Sequence, residues 1–461
     1  MKLNITELGI IKRIQIDLDK KFMLFCGLNG TGKTYASYIL HYFLDRNYIL
    51  NYKWESDIIR QIGSDGCFTI KREYLEDWLN AYCKQVELEL GDIFGVSDAT
   101  KDKLFPDFLL NVDYTNEDFA KSLKTNINAK LTGGTSVWVI KKASDSDLVY
   151  VESDLDISNL NPAKMFLASV LVNNIIRHLV FCDNSNARML TVERNSIYTF
   201  KTELSLSRNE AFDQLLKAGQ NEKSDKEEFD IVKGTSRRYP RAIKSSLNIA
   251  NDLENVQKQV SPFAEVAELI EKDMLLGSVN MTKNGDVEFC ADGMLKSKKL
   301  PFHLSSSIVK TMASLVIYLK HIAKIGDTLI IDEPEMNFHP NVQIILAKIF
   351  ALLSNRGLRV VVSTHSDYIV REINNLIMAG AINKKNNSDL PIELGYQKEM
   401  LLDYTDVDVL FFKKTGKTAV RVESLPLNEE GFAVETIDDA IQQQNQNARL
   451  LYDLLIEENP D

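Results

Sequence analysis

Two carboxylates, Asp332 and Glu333, stand side by side at the end of an apolar run in LIIDEPEMNFHP, residues 329–340. Like charges that close repel, and burying them costs on the order of several kcal/mol unless a cation compensates. The chain offers a source of compensation far upstream. Gly27 to Thr34 reads GLNGTGKT, a complete G-x-x-x-x-G-K-[ST]. Glycines in that pattern let backbone N–H groups wrap phosphates, and the helix that follows adds the partial positive charge of its N-terminus. Asn29, Gly30, Thr31, Gly32, Lys33 and Thr34 are therefore the expected nucleotide contacts, with Lys33 reaching the β- and γ-phosphates and Thr34 ligating Mg2+. Asp332, at the tip of a neighbouring strand, would help hold the same ion. Glu333 would face the attacking water as general base or water-positioner. ATP and Mg2+ are the cofactors implied.

A third motif is VVVSTHSDYIVREI, where His365 ends an apolar strand and precedes a helix capped by Ser366 or Asp367. A histidine there can hydrogen-bond a γ-phosphate and report its presence.

The elements that must position these residues are legible in outline. KLNITEL and IKRIQIDL alternate as half-buried strands, and KFMLFC reads as a buried strand running into the glycine loop. YASYILHYFLDR follows with helical spacing, completing strand, loop and helix. From residue 300 onward, helix 307–323, strand 328–332, helix 340–354, strand 358–364 and helix 366–379 alternate, as in a parallel sheet. TLIID and LRVVVST are apolar on both faces, as central parallel strands require. Between these regions lie helical stretches (REYLEDWLNAYCKQVELEL, MFLASVLVNNIIRHLVF) and two hairpins (136–153 and 279–290, the latter turning at Asn284-Gly285). Pro262 interrupts the candidate helix 245–275, which argues against a long coiled-coil arm. KAGQNEKSDKEEFD, 217–230, is expected to be a mobile loop. DVDVLFFKK and TAVRVESL form a strand pair before a polar helix from about Ile437 to Glu457. The expected division is 1–45 as the N-terminal part of an ATPase head, 46–300 as an inserted lobe of helices and hairpins, 301–400 as the rest of the head, and 401–461 as a strand pair and helix.

Composition narrows the functional class. The chain has 461 residues, 44% apolar and 26% charged, as in ordinary globular proteins. No apolar run approaches a membrane span, and MKLNITELGI is no signal peptide. The five cysteines show no CxxC spacing, so a reduced, cytoplasmic protein without a zinc site is expected. A net charge of −11 argues against a protein that coats nucleic acid. The most basic window, Lys233 to Lys244, reads as a solvated loop.

Taken together, GLNGTGKT, LIIDEPE with NFHP, and STHS about 30 residues beyond it resemble the ABC-type ATPases of the OLD/RecF/SMC-like superfamily, the AAA_15/AAA_21 grouping. The match covers the first 45 residues and roughly 300–380. It implies an α/β fold, with a parallel sheet core, antiparallel N-terminal strands and an inserted mixed lobe. It also implies Walker A, Walker B with a catalytic glutamate (Glu333), and a switch histidine (His365). Members of this family work as head-to-tail dimers in which a signature serine caps the partner's nucleotide. HLSSSIVKTMASL is the corresponding segment, and Ser305 matches that serine. Ser306 and Ser307 depart from the usual glycines or Asp-Gly, and side chains there restrict backbone approach to a phosphate.

TVERNSIYTFKTELSLSR, 191–208, resembles a Glu-Arg segment of relatives from bacterial antiviral defence, such as the ATPase subunits of the PARIS and Septu systems. That likeness implies a sensor or scaffold that assembles as a homo-dimer or higher homo-oligomer and controls a separate effector, a Toprim-type nuclease or a toxin. OLD proteins carry a Toprim nuclease of their own. Here the only late Asp-x-Asp pair, Asp406 and Asp408, reads as a solvent-facing strand edge. The alternative is a RecF/SMC-like ATPase acting on DNA in repair or recombination. Nucleic acid is a secondary expectation, and no membrane partner is expected.

Overall fold

The computed structural model describes residues 1–45, 50–133, 136–153, 162–182, 185–201, 239–283, 285–293, 299–386, 393–416, 419–434 and 443–453. The fold is α/β, built on one nine-stranded sheet. Its strands are β1 (Lys2–Leu8), β2 (Ile11–Asp17), β3 (Phe22–Gly27), β4 (Leu109–Asp113), β5 (Ala187–Leu190), β6 (Thr328–Asp332), β7 (Arg359–Thr364), β8 (Val407–Thr415) and β9 (Ala419–Ser424). Their order is β4-β1-β2-β9-β8-β3-β7-β6-β5. The five strands from β8 to β5 run parallel, and β4, β1 and β2 form an antiparallel wing.

The strand sequences explain why both faces are covered. In β3, Met23 and Phe25 pack into a core shared with α1 (Lys33–Asp45), while Phe22, Leu24 and Cys26 pack into a second core. The second core takes α2 (Ser307–His321), α3 (Pro340–Asn355) and α4 (Asp367–Asn386). A strand buried on both sides reads as a near-continuous apolar run, and FMLFC in β3, LII in β6 and VVV in β7 are such runs. The starts of the helices follow local chemistry. His339 accepts the Asn341 amide at 3.4 Å and Pro340 fills the first helical position, so α3 begins where its sequence dictates. Ser366 Oγ accepts the Ile369 amide at 3.3 Å, which makes Ser366 the cap of α4.

Several expectations change. The interval 46–300 is not a separate lobe throughout, because β4 and β5 come from it and complete opposite edges of the main sheet. The C-terminal pair forms, and β8 lies beside β3 in mid-sheet. Asp408 is accordingly buried rather than solvent-facing. The basic window, where described, is no loop. Arg241 and Lys244 lie on helix Arg241–Asn251 and pair with Asp45 (3.2 Å) and Asp92 (2.5 Å). Hairpin 136–153 forms as expected, and Gly277–Met281 pairs with Val287–Ala291. The charged stretch 217–230 and Asn284 lie outside the described residues.

Candidate functional site

The parallel strands end on one edge of the sheet, and the three motifs meet there. An open α/β sheet gathers ligands outside the carboxyl ends of its strands. The P-loop follows β3, Glu333 follows β6, and His365 follows β7, which lies between them.

Gly27 and Gly32 are required by close approach. Gly27 has φ 139°, and a Cβ there would stand 2.5 Å from the Phe412 carbonyl oxygen. Gly32 has φ 89°, with Ile11 at 2.8 Å from the same imaginary atom. Within the loop, Thr31 Oγ1 donates to the Leu28 carbonyl at 2.8 Å. Asn29 and Gly30 are exposed at its tip. Lys33 is buried and folds back, donating to the carbonyls of Gly27 (2.8 Å) and Leu28 (3.0 Å). Burial lowers its pKa, while Asp332, Glu333 and Glu335 pull the other way.

Thr34 Oγ1 donates to Asp332 Oδ2 at 2.8 Å, joining residues 298 positions apart. Asp332 is fully buried, and its pKa is raised by that burial, against the lowering effects of the Ser363 and Thr34 hydroxyls and of Arg194. The other carboxylate oxygen, Oδ1, has no hydrogen bond of good geometry. A hydroxyl and a carboxylate whose second oxygen is buried without a partner are hard oxygen donors of the kind Mg2+ takes, so these residues fit the ion their pattern implies.

Glu333 has φ 44°, a left-handed conformation that costs a non-glycine residue on the order of 1–3 kcal/mol. Its amide donates to the Ser363 carbonyl at 2.8 Å, and its side chain is part-exposed. His365 Nδ1 lies 3.8 Å from Glu333 Oε1 and 3.2 Å from Glu335 Oε1. Glu335 is the anchor of this corner. Its buried Oε1 accepts from Thr364 Oγ1 (2.6 Å) and from the His365 amide (2.9 Å). One carboxylate thereby ties the turn after β6 to the end of β7. His339, exposed, serves as the cap of α3.

The sequence motifs did not assign Arg194 a place in the site. It follows β5 and is buried, while its neighbour Glu193 is exposed. Its Nη1 donates to the carbonyls of Asp332 (2.7 Å) and Thr191 (3.0 Å), and its Nη2 to the carbonyl of Glu333 (2.7 Å). Burial lowers its pKa to about 10, with Asp332, Glu335 and Glu333 opposing that shift. The charge problem posed by adjacent acids thus has a resident solution, a guanidinium beneath the pair, in addition to any bound cation. The Glu-Arg pair was visible in the sequence, but a bond to main-chain carbonyls leaves no mark on the identity of its partner.

Ser305 is not joined to this group by any hydrogen bond among the described residues. It precedes α2, is buried, and its Oγ has no hydrogen-bond partner. Ser306 occupies the cap position of α2 without a side-chain cap bond.

The profile of the AAA ATPase domain family (AAA_15) matches residues 1–370. The chain is similar to the Smc head domain with an extended coiled coil bound to the C-terminal domain of ScpA from Pyrococcus furiosus. That likeness has 12% identity and a TM-score of 0.36, over 96% of this chain and 98% of that one. It is also similar to the SmcHead bound to the C-winged helix domain of ScpA, at 10% identity and a TM-score of 0.32, over 92% and 98%. No curated protein matches. Among the described residues, no helix is long and apolar enough to cross a membrane. The chain belongs to the AAA ATPase domain family.

Proposed function

We propose that this family member binds Mg-ATP and hydrolyses it slowly, as the sensor or scaffold subunit of a bacterial antiviral system with a separate nuclease or toxin as effector. The observation that carries the ATPase reading is the Thr34–Asp332 hydrogen bond, with Glu333 next in the chain and His365 beside it. In this reading Lys33 exchanges its two carbonyl acceptors for phosphate oxygens, and Thr34 and Asp332 hold the magnesium. The metal supplies charge neutralisation for the phosphates. Glu333 orients or deprotonates water, and His365 contacts the γ-phosphate end. Ser305 is assigned to the partner's nucleotide in a homo-oligomer closed by ATP.

The defence role rests on the likeness of residues 191–208 and on charge. The net charge of −11 suits a protein partner better than nucleic acid. The described part of the most basic window also has its cations engaged by Asp45 and Asp92. The test is co-expression with the neighbouring gene products, followed by purification and an ATPase assay with and without DNA. A stoichiometric complex with a nuclease or toxin, and hydrolysis indifferent to DNA, is the expected result. Hydrolysis stimulated severalfold by DNA, with salt-sensitive binding and no bound protein, would establish the repair reading instead.

A further inference from the structure

A buried charge is normally paired or hydrogen-bonded. Arg194 spends its terminal N–H groups on three main-chain carbonyls, two of them on Asp332 and Glu333. The Glu333 residue is therefore held from both sides. Its amide donates to Ser363 of β7, and its carbonyl accepts from Arg194. A left-handed glutamate persists only where its surroundings over-determine it, and these two bonds supply that. Arg194 is itself fixed. Its amide donates to the Thr191 carbonyl at 3.1 Å, and its carbonyl accepts from Ser314 of α2 at 3.5 Å. Within the helical segment it begins, Lys201 Nζ donates to the Gly285 carbonyl at 2.6 Å.

We infer that Arg194 is a positioning residue for hydrolysis: through the carbonyls of Asp332 and Glu333 it holds the left-handed turn that aims the Glu333 carboxylate. The inference rests on the reading of Glu333 as the group that activates water. It assigns Arg194 no contact with nucleotide. The guanidinium is suited to this because it is a planar fork that reaches two carbonyls at once. A lysine ammonium is a point charge and cannot reproduce that span.

The test is Arg194→Lys, which keeps the charge and loses the fork, compared with Glu333→Gln and with the double variant in the full-length chain. The expected result is a kcat lowered about 100-fold, the scale of a misaimed catalytic group. Affinity for a fluorescent ATP analogue with Mg2+ should stay within about twofold of wild type, because the P-loop is untouched. The double variant should be no slower than Glu333→Gln alone, because Arg194 acts through that residue. Arg194→Gln, which keeps a donor amide and drops the charge, replaces the lysine variant where that does not fold, with the same split expected. Wild-type kcat in Arg194→Lys beside a dead Glu333→Gln overturns the inference and leaves the base reading intact. Equal losses of affinity and kcat also overturn it, by making Arg194 a structural residue of the whole site. Wild-type turnover in Glu333→Gln overturns the reading of the base itself.

Discussion

Asp332, at the end of β6, and Asp408, at the start of β8, lie at opposite edges of the parallel part of the sheet and share the features by which a site is often spotted. Each is almost wholly buried, at 0% and 6% exposure. Each accepts one hydroxyl hydrogen bond, from Thr34 at 2.8 Å and from Ser424 at 2.7 Å. Burial raises the pKa of both. Their surroundings differ. Asp332 has Lys33 above it, Arg194 below it, a strained glutamate next to it and one oxygen without a partner. Asp408 borders a cavity of about 420 Å3 with Asp17 and Lys20, where Asp17 raises its pKa further and Lys20 partly opposes that. A raised carboxyl pKa therefore does not identify chemistry by itself. What distinguishes Asp332 is its place at the carboxyl ends of parallel strands, with cations already arranged around it.

The largest effect that would sharpen this contrast comes from Lys33→Ala. It should abolish binding of a fluorescent ATP analogue, a loss of at least about 100-fold, since the lysine supplies the charge that meets the phosphates. Unchanged affinity would break the comparison at its stronger end. Asp332→Asn comes next. Turnover should fall about 100-fold and lose its dependence on Mg2+ concentration, read by titrating the metal in a steady-state assay. Glu335→Gln should act more mildly. A neutral amide still accepts from Thr364 and His365 but holds them less firmly, so kcat should drop roughly tenfold with nucleotide affinity retained. A wild-type rate would mean that the tie between β6 and β7 is dispensable.

Asp408→Asn should have the smallest effect. Turnover should be unchanged, and the melting temperature at pH 8 should rise by about 1–2 °C. The sign follows from linkage. A carboxyl whose folded pKa is raised carries a penalty that is full above that pKa and disappears as pH falls through it toward the unfolded value. The gain should therefore shrink on acidification. A loss of stability at pH 8 would show that the ionised Asp408 is compensated after all.

Much of this molecule was legible because its signals are periodic and local. Strand 328–332 and the start of α2 at Ser307 were read directly, since apolar runs and helical spacing need no knowledge of partners. GLNGTGKT and the Asp332–Glu333 pair were legible because residue type and spacing alone define such motifs. Strand order was not. β5 is only ARML, four residues with no alternation, yet it pairs with β6 and delivers Arg194. Asp408 misled for a similar reason. Alternation in DVDVLFFKK resembles a half-exposed strand, and only its pairing with β3 on one side and β9 on the other buries it. Glu335 stands in LIIDEPE, but its grip on Thr364 and His365 depends on β7 lying beside β6, a fact of register.

The position of β3 has a consequence for how the chain is made. The strand that feeds the P-loop has two neighbours in the sheet, β7 and β8. The nearer of these begins at Arg359, ~330 residues after β3 ends at Gly27. At 5–20 residues per second, a ribosome needs on the order of 15–65 s to supply that neighbour. Through that interval FMLFC, an apolar segment, has no strand to pair with and is a target for holding factors or for misassociation. The nucleotide loop would thus be translated well before the strands that fix its shape. ATP binding would then have to wait for β7 and β8 to take their places on either side of β3.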